Sequence, residues 1–327
     1  MNNIKIICTL GPSSFKPKVL SILKKEKVDI FRINLSHTNK DDIKKKIIFL
    51  KKNKIKNICL DTEGAQIRTT KTKKKYILKK NSEVKVFNQT RLSTNKKIFL
   101  YPEFDLIKLR KGTVINIGFN NLSIKVIKKN LQKRFLICKV EKEGILESKK
   151  GVHINSNIKL PPLTNKDVYG LKVAKKFGLK YFAISFVNNH SDIKIVKKII
   201  GNNSIIISKI ETMNALKNLT KITKSSNALL IDRGDLSRYV PIEEIPVKQN
   251  IIINKAKKLR KPVYVATNLL ETMIKESLPT RAESQDIYST LKQGTKGLVL
   301  AAETAIGKNP IQCVNFLKKC IKVFKKN

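Results

Sequence analysis

Apolar residues along this chain fall into short runs, and the stretches between them carry helical spacing. Eight runs read as buried strands: residues 4–8, 28–33, 58–61, 181–186, 204–209, 228–231, 263–266 and 297–300. Amphipathic segments at 17–27, 41–52, 167–177, 192–200, 215–224, 247–259, 282–293 and 310–325 read as helices. Strand and helix alternating eight times predicts an α/β fold, a (β/α)8 TIM barrel, with an open doubly wound sheet as the alternative.

One connection departs from that rhythm. After the third strand, helical spacing does not return until Thr164. Runs at 76–78, 83–87, 114–117, 122–127 and 135–140 alternate or stay apolar, with Asn and Gly between them. This predicts a small all-β lid domain at 71–150, inserted into a barrel made of 1–70 and 151–327. An insertion on a βα loop belongs to the face of a barrel that carries chemistry.

Composition changes this picture little. The chain has 327 residues, 41% of them hydrophobic, enough for a full core. No apolar run is long enough for a membrane span, and a strand-like run begins almost at Met1, so a cytoplasmic location without a leader peptide is expected. The formal net charge is +45, but the lysines are spread along the whole chain and far outnumber arginines. That fits a biased genome better than a dedicated polyanion site, and predicts only nonspecific contact with nucleic acid. Cys8, Cys59, Cys138, Cys313 and Cys320 form no C-x-x-C pair, which argues against a zinc site or a disulfide framework.

The predicted strand ends hold the chemistry. Arg32, Arg68 and Lys209 supply cationic donors suited to phosphate oxygens. Glu211 and Asp235 are hard oxygen ligands suited to Mg²⁺. Asn34, Ser36, Asp61 and Thr62 bear oxygens on adjacent strand ends and suit a monovalent cation or mutual hydrogen bonds. This is equipment for phosphoryl transfer, where positioning and charge neutralisation supply most of the catalysis. Each residue also has a plainer reading: Arg32 paired with Asp61, Lys209 with Glu211, Asp235 as a helix cap, Thr267 as an ordinary barrel threonine, His37 and Glu303 as structural. The T-x-x-E spacing of Thr280 to Glu283 reads as a capping box, and Thr164 to Asp167 as a weaker one.

The motifs, in order, resemble the pyruvate kinase family. They are Ile4 to Ser14, Arg32-Ile33-Asn34-Leu35-Ser36-His37, Asp61-Thr62-Glu63-Gly64, Ser148 to Val152, Leu160 to Thr164, Ser208-Lys209-Ile210-Glu211, Arg233-Gly234-Asp235-Leu236, Pro279 to Glu283 and Glu303-Thr304-Ala305. The resemblance implies Mg²⁺-dependent (or Mn²⁺-dependent), usually K⁺-dependent, transfer of phosphoryl from phosphoenolpyruvate to ADP. It implies Arg32 on the transferring phosphoryl and Lys209 as the group stabilising the transition state. Glu211 and Asp235 would ligate Mg²⁺, and Asn34, Ser36, Asp61 and Thr62 would ligate K⁺. The Gly234 amide would meet the substrate carboxylate, and Thr267 would help protonate the enolate. Arg68 and Lys150 would contact nucleotide phosphates, with Asn34 and His37 as further nucleotide candidates. A homo-oligomer, a dimer or tetramer built through the barrel, is also implied.

The chain departs from the family's pattern in places. It ends with the eighth helix, so the family's C-terminal regulatory domain is expected to be absent. Gly118-Phe119-Asn120 stands where the family's lid has Asp-Asp-Gly. Gln66 stands where K⁺-dependent members carry glutamate, and Asp232 replaces a small residue beside the metal ligand. Asn268 and Ala302 are further changes. Two rivals remain at this stage: an Mg²⁺-dependent pyruvate-enolate lyase or aldolase on a related barrel, and a catalytically impaired paralogue that binds polyanions.

Overall fold

The computed structural model describes residues 4–64, 66–118, 122–156, 158 and 160–326. The chain divides into two compact units, one formed by Met1–Gly64 with Asn165–Asn327 and the other by Ala65–Thr164. The expected limits of 71 and 150 lie inside the second unit. Among the described residues, no helix is long and apolar enough to cross a membrane.

The first unit is a closed barrel of eight parallel strands. They are Lys5–Thr9, Ile30–Asn34, Ile58–Asp61, Tyr181–Ile184, Ile205–Ile210, Ala228–Asp232, Val263–Ala266 and Gly297–Leu300. Each pairs with its sequence neighbours, and the last closes on the first through Ile7 opposite Val299. Strands buried on both faces read as continuous apolar runs, which is why these eight were legible. One helix expected at 215–224 is two, Met213–Lys217 and Leu219–Ser225, divided at Asn218. The Thr280 capping box is present, and Glu283 closes it by accepting the Thr280 amide at 2.7 Å. Glu283 also accepts the amide of Thr272 at 2.7 Å.

The barrel interior is a cluster with a two-residue rhythm. Ile7, Ile30, Cys59, Ala183, Ile207, Leu230, Tyr264 and Val299 pack together, and on two strands the alternate residues Ala228 and Ala266 join them. Side chains on a strand alternate between faces, so the next inward position lies two residues further on. On six of the eight strands those positions are polar, Thr9, Arg32, Asp61, Ser185, Lys209 and Asp232, all buried. An apolar lumen is thus capped at the C-terminal ends of its strands by a polar layer.

The second unit is all β. A seven-stranded sheet and a two-stranded one enclose a core that includes Val86, Ile98, Ile115, Ile124, Leu136 and Val140. The sequence reading missed four of its strands: Arg68–Thr69, Lys97–Tyr101, Gly144–Leu146 and Val152–Ile154. Three of them hold only two or three residues, too few to display a period. Of the Gly118-Phe119-Asn120 departure, Phe119 and Asn120 lie outside the described residues.

Candidate active site at the barrel mouth

Lys209 stands at the centre of the polar layer. Its ammonium lies 2.8 Å from Glu211 Oε1, 3.2 Å from Asp232 Oδ2 and 3.7 Å from Asp61 Oδ2. It also donates to Ser185 Oγ at 3.2 Å. Burial alone would push this ammonium toward neutrality. The carboxylates of Asp61, Glu211 and Asp232 overcome that, and its pKa stands well above the ordinary value.

Arg32 is held from two sides. Its Nε donates to Thr9 Oγ1 at 2.8 Å and its Nη1 to Asp61 Oδ2 at 3.0 Å. Asp61 therefore joins both cations, and its desolvation raises its pKa despite them. Thr62 follows Asp61 and is fastened to the fourth strand end. Its Oγ1 accepts the Ser185 amide at 2.9 Å, and its carbonyl accepts Ser185 Oγ at 2.6 Å. Glu63 and Gly64 give their amides to the buried carboxylate of Asp167 at 2.8 and 3.1 Å. Gly64 sits at φ 67°, and a Cβ there would meet the Phe186 ring at 2.7 Å. Only glycine lets this turn lie against Phe186. Asp167 is thus a positioning residue for the third strand end rather than a simple cap.

The fourth strand end, Ser185-Phe186, did not stand out in the sequence. Its parts are a serine that ties Lys209 to Thr62 and an amide that holds Glu211. The Phe186 amide donates to Glu211 Oε2 at 2.6 Å. Glu211 Oε1 is buried without a hydrogen-bond partner, the Lys209 ammonium lying close but out of hydrogen-bonding alignment. Burial pushes the Glu211 carboxyl up to about 8. Burial also opposes ionisation of Asp232, but Lys209 and Arg32 prevail and hold its carboxyl below the usual range.

The helix Arg233–Leu236 follows the sixth strand. Its cap is Asp232, whose Oδ1 accepts the Asp235 amide at 3.4 Å, so Asp235 is not the cap. Asp235 instead pairs with Arg238 at 3.1 Å. One carboxylate oxygen from each of Glu211, Asp232 and Asp235 lies within 4.8 Å of the others. Hard, charged oxygens at this spacing fit a divalent cation such as Mg²⁺.

Thr267 sits at φ 71° and Asn268 at φ 56°, a conformation that β-branched residues rarely adopt. Arg233 holds the turn through Nε and Nη2 to the Thr267 carbonyl at 3.1 and 2.5 Å. The guanidinium is anchored in turn by both carboxylate oxygens of Asp286, at 2.9 and 2.8 Å. Thr267 Oγ1 accepts the Gly234 amide at 2.8 Å and donates to the Ala266 carbonyl at 2.5 Å. The Gly234 amide, assigned from the sequence to a substrate carboxylate, is engaged by Thr267 here. Glu303 is structural: it is buried and accepts the amides of Leu270 and Ala301.

Asn34 and Asp61 are register partners on neighbouring strands. Asn34 Oδ1 accepts the Ser36 amide at 2.9 Å and caps the 3-10 turn Leu35–His37, where His37 is exposed. In the β unit, Arg68 and Lys150 come together although far apart in sequence. Arg68 bridges Gly151 and donates to the Lys149 carbonyl at 3.4 Å, and Lys150 pairs with Glu147 at 2.9 Å. Gln66 is buried in the same unit, with no hydrogen-bond partner for its Oε1.

The family model described as pyruvate kinase, barrel domain, matches residues 1–314. The chain belongs to the pyruvate kinase family. Pyruvate kinase of Thermotoga maritima is 32% identical over 332 residues, covering 98% of this chain and 71% of that protein. Pyruvate kinase of Methanocaldococcus jannaschii is 34% identical, covering 99% of this chain and 70% of its own length. That of Sporosarcina psychrophila is 31% identical, and this chain spans only 56% of it, little more than half. The barrel mouth described above lies within the stretch matched to the pyruvate kinase barrel domain.

Proposed function

We propose that this protein transfers the phosphoryl group of phosphoenolpyruvate to ADP, forming pyruvate and ATP. The observation that carries the reading is the placement of Lys209 at the barrel mouth, between the Arg32–Asp61 pair and the carboxylates of Glu211 and Asp232. Two cations and a cluster of carboxylates at one strand-end layer suit a reaction whose substrates and products are polyanions.

In this reading Arg32 holds oxygens of the transferring phosphoryl, and its bonds to Thr9 and Asp61 fix the plane of its guanidinium. Lys209 neutralises charge that builds on the phosphoryl and on the enolate left behind. Glu211 and Asp235 would hold Mg²⁺, which when bound would screen the phosphoryl oxygens and so lower the barrier to their approach. Thr267, held at positive φ by Arg233, presents its hydroxyl where the enolate takes up a proton. The Gly234 amide binds the substrate carboxylate by leaving Thr267. Asn34, Ser36, Asp61 and Thr62 form the K⁺ site. Arg68 and Lys150 meet the nucleotide phosphates, Lys150 exchanging Glu147 for phosphate, and Asn34 and His37 are further nucleotide contacts. The β unit as a lid, a dimer or tetramer assembled through the barrel, and a cytoplasmic location complete the proposal.

Phosphorus NMR of phosphoenolpyruvate with ADP and Mg²⁺ tests it. The phosphoenolpyruvate signal should fall as the ATP signals rise, and only when ADP is present. Consumption of phosphoenolpyruvate at the same rate without ADP would overturn the reading in favour of a lyase.

A further inference from the structure

Three carboxylates, rather than two, converge at this mouth. Asp232 lies two residues beyond Leu230 of the lumen cluster, so its side chain belongs to the uppermost inward layer. One of its oxygens caps the following short helix at 3.4 Å, a long contact that an uncharged serine or asparagine would also supply. The other oxygen, Oδ2, lies 3.2 Å from Lys209. The cap alone does not account for a buried negative charge at this position, and the cation that meets it, Lys209, is shared with Glu211.

With Glu211 ionised, as a cation ligand must be, the charges around Asp232 do not balance within the protein. Asp61 has Arg32 as well as Lys209, and Asp235 has Arg238. Glu211 and Asp232 share the single ammonium of Lys209. Glu211 Oε1 is fully buried and accepts no hydrogen bond, which leaves it a lone pair for a cation. One oxygen of each of Glu211, Asp232 and Asp235 falls within 4.8 Å of the others, the spacing of ligands around one ion.

We propose that Asp232 is a third carboxylate ligand of the divalent-cation site, beside Glu211 and Asp235. The inference rests on the reading of Glu211 and Asp235 given above. Three carboxylates allow the cation to bind before any substrate phosphate is present. With a divalent cation held by these oxygens, which Lys209 now neutralises, the ammonium would be free to meet the anionic substrate. A site of two carboxylates depends more heavily on substrate oxygens to complete the ligand shell.

The test is a Mn²⁺ titration of the whole protein without phosphoenolpyruvate or nucleotide, with free Mn²⁺ read by electron paramagnetic resonance. Wild type, Asp232→Ser, Asp232→Asn and Glu211→Gln are compared, and circular dichroism melts confirm folding. Either Asp232 variant retains a capping group, so one of them suffices if the other misfolds. The expected result is saturable Mn²⁺ binding to wild type, weakened at least about tenfold by either Asp232 variant and by Glu211→Gln. Binding to a folded Asp232 variant equal to wild type overturns the proposal, as does failure of wild type to bind Mn²⁺ without substrate. Because no substrate enters the titration, its outcome is separable from that of the phosphotransfer assay.

Discussion

Ser185 joins Lys209 to the third strand end: its hydroxyl accepts the ammonium at 3.2 Å and donates to the Thr62 carbonyl at 2.6 Å. A hydroxyl that fixes a buried lysine acts on catalysis through orientation. Ser185→Ala should lower kcat by about tenfold to a hundredfold with a smaller change in KM for phosphoenolpyruvate. The lost hydrogen bonds should cost about 1–3 kcal/mol in stability. Steady-state kinetics beside urea unfolding check both figures; an unchanged kcat would make Ser185 purely structural.

Removal of Lys209 separates stability from chemistry in a different way. Lys209→Ala leaves the buried carboxylate of Asp232 without its nearest cation, which should cost about 3–5 kcal/mol in metal-free protein. Divalent cation should restore much of that loss, because it meets the same oxygens. Thermal melts with EDTA and with Mg²⁺ measure the difference. A variant as stable as wild type in EDTA would contradict the electrostatic account of this layer.

Much of the site was visible as sequence, for a physical reason. Arg32, Asp61 and Lys209 each extend an apolar strand by one inward step, so a polar residue there is conspicuous against its run. Ser185 makes the same step but is small, and a serine after an apolar run carries no signal of its own. Asp286 was invisible because it lies on an amphipathic helix, Arg281–Lys292, where a charge reads as a solvated face; only the fold shows it gripping Arg233. Asp167 looked like a helix-start residue, and its amide partners, Glu63 and Gly64, lie a hundred positions earlier. The plain pairings of Arg32 with Asp61 and of Lys209 with Glu211 are present, which makes them part of the site's resting arrangement.

The turn at Thr267 gives a prediction on positioning. Arg233 spans from Asp286 to the Thr267 carbonyl, so Arg233→Ala and Asp286→Asn should show the same defect. Both should lower kcat more than they raise KM, and the double variant should be little worse than either single one. Arg233→Lys should recover little, since a single ammonium does not reproduce a guanidinium fork. Additive effects in the double variant would show that the two residues act separately.

Proton linkage at Glu211 sets a pH dependence. Its carboxyl is raised from 4.5 to about 8 by burial, so the folded metal-free protein holds this proton more tightly than the unfolded chain. The resulting stabilisation is full below pH 4.5 and is lost as pH rises through 8. Asp232 is shifted downward and titrates below this window. Melts in EDTA should therefore show a falling Tm from about pH 5 to 8, flattened by Glu211→Gln. Calorimetry in buffers of different ionisation heat should detect proton release when Mg²⁺ binds near pH 7. No release, with a flat Tm profile, would remove Glu211 from the titrating cation site.

Lys209 at the barrel mouth drives phosphoryl transfer in this reading, and a coupled assay measures that directly. Pyruvate formed from phosphoenolpyruvate, ADP and Mg²⁺ is followed for wild type and for folded Lys209→Ala, in K⁺ and then in Na⁺. Wild type should turn over, the variant should lose two or more orders of magnitude in rate, and both should retain phosphoenolpyruvate binding. Equal rates for the two proteins, or no pyruvate from wild type in either salt, would contradict this reading.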